Sequence, residues 1–137
     1  MNRFDIIEHT ADIGIVAYGA ELKEAFANAA YAMFTIIADP ERVEERVCQD
    51  IEVQAEDQES LLVRWLNELL YLFDTQGIIF SRFEISELNE NHLKAKGYGE
   101  PIEPRRHSLK IGIKAATYHM LKIERDDGCK VQVIFDI

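Results

Sequence analysis

Little in this chain invites a covalent staple, a membrane or a nucleic acid. Cysteine occurs only at Cys48 and Cys129, which form neither a CxxC motif nor a metal-ligand spacing and read as reduced thiols. No apolar run approaches the roughly 20 residues needed to cross a bilayer. The start, Met1-Asn2-Arg3-Phe4-Asp5, has no basic stretch followed by an apolar one, so no export signal is read and a cytoplasmic protein is expected. Bases are outnumbered: 15 Lys and Arg stand against 25 Asp and Glu, for a net charge of −10. Phosphate neutralisation supplies most sequence-independent affinity for nucleic acid. Alone, the chain should therefore bind RNA or DNA poorly; cations or a basic protein partner suit it better. Catalytic signatures are also missing. There is no Gly-rich phosphate loop, no GxSxG and no HExxH. His9, His92, His107 and His119 give no two-His ligand pair, and no hydrolase triad is readable.

What is present suits one globular domain spanning residues 1–137. Hydrophobic residues make up 47% and charged residues 29%, without repeats or linker-like breaks. The charge is uneven. Between Glu41 and Glu59 lie eight acids against Arg42 and Arg46, and between Lys94 and Lys114 lie six bases against Glu100 and Glu103. These blocks are either two solvated faces or a polarised surface that orients a partner.

Periodicity supplies the elements. Phe4 to Glu8 and Ile13 to Tyr18 are short β-type runs around His9-Thr10-Ala11-Asp12. Leu22, Ala25, Phe26, Ala29, Met33 and Ile37 recur at helical spacing, predicting a helix from about Glu21 to Ala38 that Asp39-Pro40 stops. Cys48 to Ala55 alternates as a strand. Asp57 is placed to cap a second helix whose stripe is Leu62, Trp65, Leu66, Leu69, Leu70 and Phe73, with Gly77 ending it. Ile78 to Leu88, His92 to Gly99, Lys110 to Tyr118, Met120 to Arg125 and Val131 to Phe135 read as strands, the last two joined by Asp127-Gly128. The expected class is α+β: a largely antiparallel sheet with two amphipathic helices packed on one face, Trp65 in the core.

Three constellations stand out. The chain ends Val131-Gln132-Val133-Ile134-Phe135-Asp136-Ile137, its period-2 pattern running to the last residue. An ordered end there brings the Asp136 side chain and the Ile137 α-carboxylate to one spot, where a hard cation is the obvious use. His9-Thr10-Ala11-Asp12 lies in a turn. Asp12 is a hard oxygen ligand, and His9 and Thr10 are groups for its surroundings; the same residues also suit an ordinary Asx or Thr turn. If Asp12 met the chain end, three anions would repel one another without a cation. Oxygen-only ligation favours Ca²⁺ or Mg²⁺ over zinc. Nothing in the spacing shows that they meet. Lys114, Thr117, Tyr118 and His119 form the third group, suited to phosphate or to balancing the carboxylates, or else an ordinary strand with Tyr118 partly in the core.

Four blocks taken in order carry a resemblance: His9-Thr10-Ala11-Asp12-Ile13-Gly14, Trp65-Leu66-Asn67-Glu68-Leu69-Leu70-Tyr71, Ile113-Lys114-Ala115-Ala116-Thr117-Tyr118-His119 and Val133-Ile134-Phe135-Asp136-Ile137. Together they resemble the archease family along essentially the whole chain. The resemblance implies a small α+β protein without catalysis of its own. Such a protein activates the GTP-dependent tRNA-splicing RNA ligase by promoting its guanylylation and turnover. It also implies, as an alternative, a chaperone that modulates a tRNA methyltransferase. By the same likeness Asp12, Asp136 and the terminal carboxylate of Ile137 hold a divalent cation, calcium first, with magnesium or manganese as alternatives. His9, Thr10, Lys114, Thr117, Tyr118 and His119 are then supporting or partner-contacting residues. One departure is Gly112, where the family often carries Glu, so the likeness does not cover that patch. A metal-dependent hydrolase on the same carboxylates would need a base and a pocket that the sequence does not reveal.

Overall fold

A computed structural model describes residues 2–8 and 12–137. Its elements in order are β1 (Phe4–Glu8), β2 (Asp12–Gly19), α1 (Leu22–Ile37), β3 (Val47–Gln54), α2 (Gln58–Gln76), β4 (Ile78–Leu88), β5 (His92–Pro101), β6 (Ala115–Ala116), β7 (Lys122–Glu124) and β8 (Cys129–Asp136), with a 3-10 turn at Pro40–Arg42. The α+β class is borne out. The strands divide into two antiparallel sheets: a five-stranded one ordered β1-β2-β8-β6 with β7 also on β8, and a three-stranded one ordered β3-β5-β4.

The helices begin and end for local reasons. At α2 the Asp57 carboxylate accepts from the Ser60 N–H at 2.8 Å, which holds the Asp57 carboxyl below its usual range. Gly77 closes the helix in the left-handed region at φ 64°, and its N–H donates to the Phe73 carbonyl. At α1 the capping residue Glu21 contributes no side-chain bond, and Glu24 reaches back to the Ala20 N–H at 2.6 Å. Positive φ at Asp127 and Gly128 makes the tight turn between β7 and β8.

Both helices touch both sheets. Helix α1 packs on β2 and β8 and also on β4, while α2 meets β3, β4 and β5 and also β6. Ala29, Ala30, Ala32 and Met33 are all fully buried, so α1 is covered on more than one side. Aromatic rings join the layers: Phe34 lies within 6.2 Å of Phe73, Phe80 and Phe83, and Trp65 meets Phe83 edge-on at 5.8 Å. Trp65 is fully buried as expected, and its indole N–H donates to the Phe26 carbonyl at 3.0 Å. Among the described residues no helix is long and apolar enough to cross a membrane. Cys48 and Cys129 are both free thiols.

Two expectations need correcting. Lys110 to Tyr118 is regular strand only at Ala115–Ala116. Upstream, the chain leaves the sheet to close the end of α1: the Lys110 and Ile111 N–H groups donate to the Ile37 and Ile36 carbonyls, and the Lys110 ammonium pairs with Asp39 at 2.8 Å. Helix-terminal carbonyls that need donors thus outcompete a neighbouring strand. The acidic and basic blocks, expected as two solvated faces or one polarised surface, instead meet in part. Two acids of the first block lie on β3 and two bases of the second on β5, which are hydrogen-bonded neighbours, with Asp50 opposite Lys96 and Glu52 opposite Lys94. On the far side Glu84 faces Lys96 and Glu87 faces Lys94. The charges interleave.

Candidate metal centre at the end of the five-stranded sheet

The register of β2 and β8 brings Asp12 opposite Asp136. Directly opposed residues of an antiparallel pair project their side chains from the same face, so two carboxylates share one spot. Like charges so placed are destabilising. The neighbours hold them there: Ile13 and Phe135, the next pair along, are core residues. A slip of one residue would relieve the charge but expose that core. Asp12 Oδ1 is cut off from solvent and has no hydrogen-bond partner among the described residues. A buried acceptor left in this way costs about 1–3 kcal/mol, more when charged. Ile137 follows Asp136 directly and remains 41% exposed. Asp12, Asp136 and Ile137, named from sequence, therefore lie at one end of one sheet.

The other flank of Asp136 is β6, with Ala115 opposite Asp136 and Ala116 opposite Phe135. The Lys114 N–H donates to the Asp136 carbonyl at 2.8 Å. The Thr117 N–H and hydroxyl both donate to the Ile134 carbonyl, at 3.0 and 2.8 Å. Lys114 thus shapes the site through its backbone and Thr117 through both backbone and hydroxyl, and the Lys114 side chain is exposed. Tyr118 is 59% exposed rather than partly in the core, because the chain turns outward after Thr117, with Leu121 N–H on the Tyr118 carbonyl. It lines a surface cavity with Gln54, Ser60 and Arg64 beside the start of α2. His119 is exposed on the same turn. His9 and Thr10 lie outside the described residues.

Among the described residues no three His, Cys, Asp or Glu side chains cluster to hold a metal. The donor set here is two side-chain carboxylates, with Ile137 next to them. Its chemistry, oxygen only with one orphaned buried oxygen, fits a hard cation such as Ca²⁺ or Mg²⁺.

Sequence reasoning missed two sets of residues. Asn67 on α2 accepts from the Ala116 N–H at 2.7 Å and donates to the Ala116 carbonyl at 3.3 Å. The second set lies where β5 meets the loop that follows it. Glu100 and His107 are 2% and 3% exposed. The Glu100 carboxylate accepts from the Glu44 N–H at 2.7 Å, from His107 Nε2 at 3.0 Å and from Arg106. His107 Nδ1 accepts from the Glu103 N–H at 2.8 Å, so the ring proton sits on Nε2. Burial pushes the Glu100 carboxyl up. The Glu44 N–H, His107 and Arg106 together outweigh it and hold the carboxyl below its ordinary range. Glu100 pins the segment that leads to Lys114. Its only trace in the sequence was a Glu beside Pro101.

Fold and site together define a small α+β protein with two antiparallel sheets, two core helices and a carboxylate pair at a strand end. The sequence matches the Archease protein family (MTH1598/TM1083) over residues 4–137, and the chain belongs to that family. It is 44% identical over 142 residues to the archease of Pyrococcus abyssi, covering 100% of both chains. With that of Sulfolobus acidocaldarius it is 43% identical over 129 residues, 93% of each chain. The solution structure of Methanobacterium thermoautotrophicum protein 1598 superposes with a TM-score of 0.86 at 39% identity over 100% of both chains. A crystal structure of an archease, possible chaperone, from Thermotoga maritima gives 0.66 at 28% identity, over 96% of this chain and 94% of that one.

Proposed function

We propose that this protein is a non-catalytic cofactor of the GTP-dependent tRNA-splicing RNA ligase, promoting its guanylylation and turnover. In this reading Asp12, Asp136 and the Ile137 α-carboxylate hold a divalent cation, Ca²⁺ in the first instance. The observation that supports it best is the Asp12–Asp136 pair with its orphaned buried oxygen, Asp12 Oδ1. Two anions face to face, with one oxygen that has no partner among the described residues, invite a cation there. A bound divalent ion supplies the positive charge that turns this repulsion into attraction. The chain's own residues do the rest. β2 and β8 fix the spacing of the two carboxylates, Lys114 fixes the Asp136 carbonyl, and the core beneath denies the strands another register. Binding one conformation of the ligase more tightly would shift the ligase's population towards it. The net charge of −10 suits contact with a protein rather than with bare RNA.

The direct test adds the protein to its ligase at substoichiometric ratio and follows guanylylation and product. Both should rise over the ligase alone; no rise would overturn the reading. A second reading, a chaperone-like modulator of a tRNA methyltransferase, draws on exposed Leu109, Ile111, Tyr118 and Met120, which lie close together in the chain. It predicts a change in the methyltransferase's solubility or site choice with no effect on ligation.

A further inference from the structure

Strand β6 is too short to hold itself. It is two residues long, yet it forms the flank of Asp136 opposite Asp12. Its inner edge bonds to β8. On its outer edge a neighbouring strand would normally offer one carbonyl and one N–H, and among the described residues no strand lies there. The Asn67 side chain offers both instead: its carbonyl oxygen takes the Ala116 N–H at 2.7 Å and its amide N–H₂ reaches the Ala116 carbonyl at 3.3 Å. Asn67 is itself held firmly. Trp65, Leu66 and Leu69 around it in α2 are fully buried, which fixes the rotation of the helix and so the aim of the amide.

We propose that Asn67 is a positioning residue for the carboxylate site: its amide stands in for a missing strand, clamps β6 against β8 and thereby sets how the chain leaves Asp136. This rests on the cation reading above. The path is short. Asn67 fixes Ala116; Ala115 and Ala116 pair with Asp136 and Phe135; Lys114 then donates to the Asp136 carbonyl. That carbonyl carbon is bonded to the Ile137 nitrogen, so holding it fixes the plane of the last peptide and with it the position of the Ile137 Cα. An isolated sheet edge would leave this plane free to turn. Side chains that orient metal ligands from behind typically change metal affinity about 10–100-fold when removed.

The clamp needs an acceptor and a donor on one short side chain, which asparagine alone provides at this length. Asn67→Ala removes both, and Asn67→Asp keeps the acceptor and loses the donor. The test measures Ca²⁺ affinity by calorimetry on the intact chain, and amide exchange without metal. With Asn67→Ala, Ca²⁺ binding should weaken at least about tenfold. Protection of the Lys114 amide should fall while that of Ile15, on β2, stays. Asn67→Asp should also lose Lys114 protection, and it serves alone if the alanine variant does not fold. A control, Ile51→Val in β3, lowers stability without touching β6. Were Asn67 only structural, this control would weaken Ca²⁺ as much, or the Asn67 variants would bind Ca²⁺ with the wild-type constant; either result overturns the proposal. A wild-type protein that binds no divalent cation defeats the cation reading itself. A wild type that binds, with Asn67 variants that bind equally well, defeats only the role of Asn67.

Discussion

The outer face of the three-stranded sheet and the end of the five-stranded sheet treat charge in opposite ways. On the first, every cross-strand neighbour named above is of opposite sign: Asp50, Lys96 and Glu84 lie in one row, Glu52, Lys94 and Glu87 in the next. Arg82 adds paired contacts to Glu45 at 2.8 Å and Glu84 at 3.1 Å. Tyr98 donates its hydroxyl to Glu84, which pushes its pKa up to about 12. At the second, Asp12 faces Asp136. One region lowers its electrostatic energy with groups the chain already carries. The other sets like charges opposite each other, with no ion pair to either among the described residues, and sequesters an oxygen from water. A chain that interleaves charges so thoroughly in one sheet has the means to do so in the other. The unresolved pair therefore reads as a site waiting for charge from outside.

The largest effect should come from the buried ionic cluster around Glu100, which contrasts with both regions. Glu100→Gln leaves Arg106 and His107 without their carboxylate and should cost about 3 kcal/mol in urea unfolding at neutral pH. The folded Glu100 pKa lies below its ordinary 4.5. Its contribution is therefore present above 4.5 and is lost as pH falls through the folded value. The gap between wild type and Glu100→Gln should shrink as the pH is taken below 4.5; a constant gap would show that the charge of Glu100 is not what stabilises the loop.

A smaller pair of changes inverts the comparison. Lys96→Glu places three acids in one row of the three-stranded sheet and should destabilise by up to about 1 kcal/mol. Asp12→Asn, measured without divalent ions, should do the reverse and stabilise by about 1 kcal/mol, because it removes the repulsion opposite Asp136. Urea midpoints at low salt read both. If Asp12→Asn destabilises the metal-free protein as Lys96→Glu does, the pair is not held at a cost and the contrast between the regions fails.

Much of this was legible in the sequence, for physical reasons that differ by element. Phe4 to Glu8 and Ile78 to Leu88 were read with their observed ends, because period-2 alternation is local. Asp57 and Gly77 were read as helix ends because caps need a particular side chain or a particular φ. Lys110 to Tyr118 reads as one strand but is strand only at Ala115–Ala116. Its alternation is real, but its backbone donors are claimed by the end of α1, which no pattern within the segment can reveal. The same holds for charge: β3 and β5 are far apart in sequence, so their interleaving appears only in the register. For the site, Asp12 and Asp136 could be named, and family likeness gave the reason to join them. Their opposition across β2 and β8 needed the fold. Asn67 carries no signal of its role in the sequence, because a half-buried polar residue on an apolar helix reveals its partner only in space.

The central claim is that the carboxylate end holds a divalent cation, and calorimetric titration of the metal-free protein with Ca²⁺, beside Asp136→Asn, tests it most directly. The wild type should bind one Ca²⁺ per chain and Asp136→Asn should bind at least about tenfold more weakly while its fold stays intact. Equal affinity in the two proteins, or no binding of Ca²⁺, Mg²⁺ or Mn²⁺ by the wild type, would contradict it.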